Sequence, residues 1–294
     1  QNIKCGECHT PGQDTTYFVA GRKYQWAVSK HAIGGDLERN SANCAACHTT
    51  EGFHQRWSGR PVTAQLQPSP PGCFACHSPH ARANFSLRDT TPVTIASFVE
   101  GVPDGVFDYG RGNLCARCHQ TRTYSPMSPK PNPTKTANTD TISITSSRWY
   151  PHYGVQGQML MGTGGFQFQG YTYRGNSNHS TNASIKQKGC PVCHMPEQSY
   201  PPGGTGKAGG HTMNIRYYGT AGDTLFHLVS CQRSGCHGSS YSTTTYKNTI
   251  KAIEDTLHVL ETLLVNRGWL TSSLLVNASS SRPLKIAPAA KAGA

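Results

Sequence analysis

The 294-residue chain is short of the material from which ordinary protein cores are built. Only 35% of its residues are hydrophobic and its mean hydropathy is −0.52. No stretch reaches the roughly 18 consecutive apolar residues that a membrane-spanning helix needs, so no membrane span is expected. Acidic residues are scarce: 15 Asp and Glu stand against 27 Lys and Arg, a formal net charge of +12. The basic residues are dispersed, and no run of them marks a nucleic-acid groove. No signal peptide is visible, and the first residue is Gln1, not Met. The expectation is a mature chain after export. No cysteine opens the sequence as a lipid anchor would require. Gly (31) and Pro (19) are plentiful and point to irregular backbone. A chain this long with so little aliphatic material needs another source of apolar surface.

The cysteines supply one. All twelve sort into six pairs. Five pairs are C-x-x-C followed at once by His: Cys5, Cys8 and His9; Cys44, Cys47 and His48; Cys73, Cys76 and His77; Cys115, Cys118 and His119; Cys190, Cys193 and His194. The sixth, Cys231, Cys236 and His237, has two extra residues between its cysteines. C-x-x-C-H is the attachment signature of c-type heme. Two thioethers must reach two vinyl groups on one edge of a porphyrin, and the next residue then aims its imidazole at the iron as proximal ligand. The wider loop makes the same bonds with a bulge. A disulfide scaffold and zinc ribbons are the competing readings. Neither asks for His after every second Cys, and ribbons pair their C-x-x-C units. Five such coincidences have odds on the order of one in a million or less, which decides for six covalently bound heme c groups.

Six proximal histidines leave eight of the fourteen: His31, His54, His80, His152, His179, His211, His227 and His258. That is enough for a second imidazole on every iron, which fills the coordination sphere. Methionine (Met127, Met159, Met161, Met195, Met213) is the weaker alternative. His80 follows His77 by three residues, too close to fold back on its own iron but placed to cap a neighbouring ring. His211 follows Gly209 and Gly210, which allow a tight backbone path. His152 and His179 sit in loops, and His31 ends a segment carrying Trp26 and Val28. The sixth distal ligand is His227, in the apolar setting of Leu225, Phe226, Leu228 and Val229, with His54 as second choice. His258 falls off the apolar stripe of a helix and reads as solvated.

The expected fold is mostly irregular coil with short α-helices wrapped around a stacked heme core, with little strand. Residues 1–245 form the hexaheme domain. Residues 246–268 are a longer amphipathic helix packed on it, with apolar stripe Ile250, Ile253, Leu257, Leu260 and Leu264 and a C-cap at Gly268. Residues 269–294, rich in Ala, Ser, Lys and Pro, read as a tail. The motifs follow no strict repeat. With about 49 residues for each ring, neighbouring rings must come close. Six rings would also bring twelve propionates, which offsets the basic excess and argues against nucleic acid.

Several segments resemble exported multiheme c-type cytochromes, in order as well as content over most of residues 1–270. They are Trp26 to His31, Cys44 to Phe53, Cys76 to His80, Gly112 to Cys115, Pro151 to Gln156, and Gly210 to Thr212. The resemblance implies that His31, His80, His152, His179 and His211 are distal heme ligands. Such cytochromes often carry a further ligating His beyond the amphipathic helix, and none follows here. The sixth iron is then capped by His227 or His54, capped by a neighbouring subunit, or open. Heme density and loop content are also similar to those of extracellular cytochrome filament subunits, which implies self-association into a conducting fibre.

Three functions compete. The first is an electron-transfer protein, extracellular or at the cell surface, else periplasmic, with other cytochromes or extracellular electron acceptors as partners and no catalytic residues. The second is a periplasmic multiheme reductase of small nitrogen or sulfur oxyanions, which needs one open iron beside proton-delivering groups. Against it, all six motifs carry His as proximal ligand. The third is a scaffold with purely structural metal centres, which the supply of axial histidines disfavours.

Overall fold

The computed structural model describes residues 18–34, 36–78, 86–95, 103–121, 142–149, 152–163, 172–197, 207–219 and 221–286. The first motif (Cys5, Cys8, His9) and His80 lie outside them. The backbone is mostly coil and short helix with little strand and one long helix near the C-terminus.

Chain contacts divide the protein into two compact units. One takes residues 1–91, 109–114 and 187–243; the other takes 92–108, 115–186 and 244–294. The single domain expected over 1–245 is thus shared between both.

In the first unit the helices are short and start on polar caps. Helix α1 is Val19–Ala27 and α2 is Lys30–Ile33. The fully buried Ser29 caps α2, accepting from the Ala32 N–H at 3.3 Å. Helices α3 (Ala42–His48) and α4 (Thr50–Trp57) are hinged at Thr49, whose hydroxyl accepts from the Gly52 N–H at 2.9 Å. This is the N-cap contact that satisfies one orphan donor of a first turn. Helix α5 (Cys73–Cys76) is a single turn. The chain returns to this unit at Tyr109 and again at Gln187, where Gly112 and Gly189 cross. Gly189 has φ +63, and a Cβ there would lie 2.6 Å from Gly112 Cα and 2.7 Å from Tyr109 O. Both neighbours are backbone and cannot swing aside. Gly189→Ala should cost about 1–3 kcal/mol. That would lower the thermal midpoint by roughly 2–4 °C per kcal/mol. An unchanged midpoint would show that the crossing relaxes freely. The unit is completed by α10 (Pro191–His194), a 3₁₀ turn (Gly210–Thr212) and the antiparallel pair β4 (Arg216–Tyr218) and β5 (Thr224–Phe226).

In the second unit β1 (Val93–Ile95) pairs antiparallel with β2 (Gly105–Phe107). Val93, Ile95 and Phe107 are buried while Val106 is 60% exposed, the period-2 alternation of a sheet with one covered face. Helix α6 (Gly112–Ala116) carries the chain from the first unit into this one. Here α7 (Gln156–Met161) packs against β1, with Gly157 allowing the approach of Ile95. The single-turn α8 (Asn178–Thr181) and α9 (Ala183–Lys188) follow.

Helix α11 spans Thr243–Asn266, three residues earlier at its start than the pattern predicts. It ends at Gly268 as expected: φ is +71, and the Asn277 side chain donates to the Gly268 carbonyl at 2.9 Å. Two expectations change. The helix is not packed along its stripe, since none of its residues is buried. Residues 269–286 are not a tail. Leu270 bridges Val276, and β6 (Leu284–Ile286) pairs antiparallel with β3 (Ile142–Ile144), matching Ile142 to Ile286 and Ile144 to Leu284. Ile144 is 2% exposed. The alternation Leu284-Lys285-Ile286 gives this short segment one apolar face, which is why it joins a strand instead of trailing.

Candidate functional site

Each described motif is built on a turn of helix or its equivalent. Cys44, Cys47 and His48 lie at i, i+3 and i+4 on α3, which sets the three side chains on one face. The other motifs show the same closure in explicit bonds. The His77 N–H donates to the Cys73 carbonyl at 2.8 Å, His119 to Cys115 at 2.9 Å, and His194 to Cys190 at 3.0 Å. In the sixth motif the His237 N–H donates to the Cys231 carbonyl, again at 3.0 Å, although the two are now six positions apart. Gly235, at φ +77, takes up the extra length. The wider loop therefore ends in the same relation of first cysteine to histidine. Ring contact with Tyr241, centroids 4.3 Å apart and 24° from parallel, holds the His237 imidazole.

No two cysteines of the described residues are joined by a disulfide. Burial, with Cys73 alongside, pushes the Cys76 thiol up to about 11. Burial does the same to Cys193, helped by Cys231, Cys236 and Cys190. These are not activated thiolates of the kind that attack substrates. The fifth and sixth motifs come close to one another through the residue next to Cys231. The Ser230 hydroxyl, next to Cys231, reaches the Cys193 carbonyl at 3.4 Å. Among the described residues no three His, Cys, Asp or Glu gather as a metal ion's ligand set.

Two of the motif histidines are oriented through Nδ1. That of His194 donates to the Met213 carbonyl at 3.0 Å, and that of His119 donates to Gln156 Oε1 at 3.3 Å. Both bonds leave Nε2 as the available lone pair, the arrangement usual for a metal-bound imidazole. His77 is framed by Arg88. The guanidinium donates to the His77 carbonyl at 2.9 Å and to the Phe74 carbonyl at 3.0 Å, and it lies 4.8 Å over the Trp57 ring.

The distal candidates fare differently. The His211 and His77 ring centres are 6.2 Å apart, with planes inclined by 34°. Two metal–nitrogen bonds of about 2 Å in line, plus about 1 Å from each nitrogen to its ring centre, give roughly 6 Å. The observed separation is of that size. His211 is positioned by its own N–H, which donates to Gln25 Oε1 at 2.9 Å, and Gly210 lets that side chain pass. Burial, followed by Arg22 and His77, pushes His211 down to about 4. It is neutral, as a ligand must be. His227 has a buried Nε2 with no hydrogen-bond partner, and burial lowers its pKa. His31 Nδ1 lies 2.9 Å from Met213 Sδ. His152 has φ +73, a conformation that non-glycine residues hold only where the surroundings impose it. His179 is exposed on α8. His54 contacts Arg60 at 3.4 Å and is kept below its usual pKa by burial, Arg88 and Arg60. His258 is 72% exposed on α11.

Arg88, Gln25, Gln156 and the Met213 carbonyl had no assigned role before folding, although Gln156 lies in one of the segments that carry the family resemblance. No protein-family model matches the chain, and comparison with curated proteins and with solved structures finds no match either.

Proposed function

We propose that the chain is an exported multiheme c-type cytochrome that transfers electrons through six closely spaced bis-histidine hemes. The observation that carries this reading is the common closure of the motifs. The same His N–H to Cys carbonyl bond is kept in the wide sixth loop, as expected if both loop lengths serve one geometric task. The 6.2 Å separation of His77 and His211 supports two imidazoles per iron. A bound heme supplies a one-electron iron couple. Cys73 and Cys76 would hold one ring, and His77 and His211 would bind its iron. Arg88 keeps the His77 carbonyl in place, and Gln25 fixes the backbone of His211. His194 and His119 are oriented for ligation by Met213 and Gln156. The side-by-side fifth and sixth motifs would bring two rings close together.

The reading extends to location and partners. The chain would act outside the cell or at its surface, self-associate into a filament, and exchange electrons with other cytochromes or extracellular acceptors. No described helix is long and apolar enough to cross a membrane.

Intact-mass measurement of the secreted protein should show six added heme masses, with purely low-spin bands oxidised and reduced, and negative staining should show fibres. A bare polypeptide mass would overturn the heme reading. A high-spin charge-transfer band would favour the reductase. Replacing both Cys231 and Cys236 by Ser should remove one heme mass of the six. Six retained masses would show that the wide loop is not an attachment site.

A further inference from the structure

We propose that the exposed apolar face of α11 pairs with the same face of a second copy of this chain, the two helices running antiparallel. The face is Tyr246, Ile250, Ile253, Leu257, Leu260 and Leu264, in alternating steps of four and three along the helix, its four central residues exposed and Tyr246 and Leu264 half-buried at its ends. That is the 3.5-residue repeat of a helix-pairing seam. Ile253 is 54% exposed, and Leu257 and Leu260 are each 50% exposed. A helix with such a stripe is stable only when the stripe is covered. Off the stripe the helix carries the Lys251–Asp255 ion pair at 2.7 Å, with Val259 the one large apolar side chain on the far side.

The sequence of the stripe selects the occupant. Run antiparallel against itself, it stacks Tyr246 on Leu264, Ile250 on Leu260 and Ile253 on Leu257, each layer occurring twice. Every large side chain meets another, and none meets a gap or a charge. Flanking charges select the direction. Antiparallel pairing sets Lys247 of each copy beside Glu261 of the other, an attraction repeated at both ends. The central Glu254 meets its own copy at the exposed flank, a single like-charge contact set against two opposite-charge ones. Parallel pairing would set Glu254 and Glu261 against Thr249 and Thr256, with no charge match. The contact is isologous and closes on itself, so it joins copies side by side and does not by itself propagate a fibre. It does not depend on the heme reading.

The test uses the secreted full chain. Ile250→p-benzoylphenylalanine is irradiated in an equal mixture of ¹⁴N and ¹⁵N protein. Cross-links between labelled and unlabelled copies should fall on the turn around Leu260. Cross-links around Ile250 itself, or within one copy only, overturn the proposal. Sedimentation gives the second arm. Leu257→Glu should weaken association by roughly tenfold or more, with an unchanged far-ultraviolet circular dichroism spectrum to show that the chain still folds. Lys247→Glu should weaken it less, and adding Glu261→Lys should restore it. Association unmoved by Leu257→Glu, or no restoration by the paired charge reversal, also overturns it.

Discussion

Made without heme attachment, the chain should show no cooperative thermal transition, whereas the heme-loaded protein should melt sharply. The expectation rests on how little else there is to fold around. The largest fully buried side chains are Phe107 and Ile144, and the rest of that group is polar: Asn113, Thr49, Thr212 and Ser29. Beside the motifs, apolar side chains stand in water. Phe74, inside the third motif, is 49% exposed, Val229 before the sixth is 46%, and Tyr153 beside His152 is 79%. A ring seated at each motif would cover such groups. Even if a porphyrin buried no more than the roughly 250 Å² of a tryptophan, at about 25 cal/mol per Å² it would contribute roughly 6 kcal/mol. Two or three such contributions match the whole net stability of about 5–15 kcal/mol of an ordinary domain. The measurement is circular dichroism and calorimetry on the chain expressed with and without the attachment machinery. A heme-free chain that unfolds cooperatively at the same midpoint would remove porphyrin from the core.

Local chemistry was legible in the sequence because it is set by residues a few positions apart. The motif spacing dictates a turn with Cys and His on one face, and Cys44 to His48 forms it. The long helix announced itself through the apolar repeat from Ile250 to Leu264, and its stop through Gly268. Contacts between distant segments were not legible. Strands β3 and β6 are three residues each, too short to carry a period, and some 140 positions lie between them. The approach of His211 to His77 depends on a 3₁₀ turn, on two glycines with positive φ and on the amide of Gln25. None of these has a signature that points to residue 77. Arg88 was silent for the same reason: one arginine says nothing until Trp57, Phe74 and His77 are folded around it. The sequence could rank histidines by setting, but pairing them needs three dimensions.

That pairing yields the second large effect. His211→Ala should keep all six hemes of the proposed cytochrome, because thioether attachment at Cys73 and Cys76 would not involve it, yet leave one iron short of a ligand. The oxidised spectrum should gain a high-spin band of about one part in six. Carbon monoxide should bind the reduced protein at one site per chain, where the unmutated protein binds none. The potential of that one centre should move by roughly a tenth of a volt or more, given the 0.8 V range that axial ligands span. His258→Ala is the matched control, since that imidazole is 72% exposed, and its spectrum should not change. His227→Ala should open a different iron, because its buried Nε2 has no other partner, and the double variant should bind two equivalents of carbon monoxide. The variant separates ligation from packing. If His211 merely filled space, Ala would loosen the turn but leave every iron six-coordinate. Six low-spin centres in His211→Ala would therefore break the His77–His211 pairing even with the hemes confirmed. One new carbon monoxide site would assign that pair to a single ring.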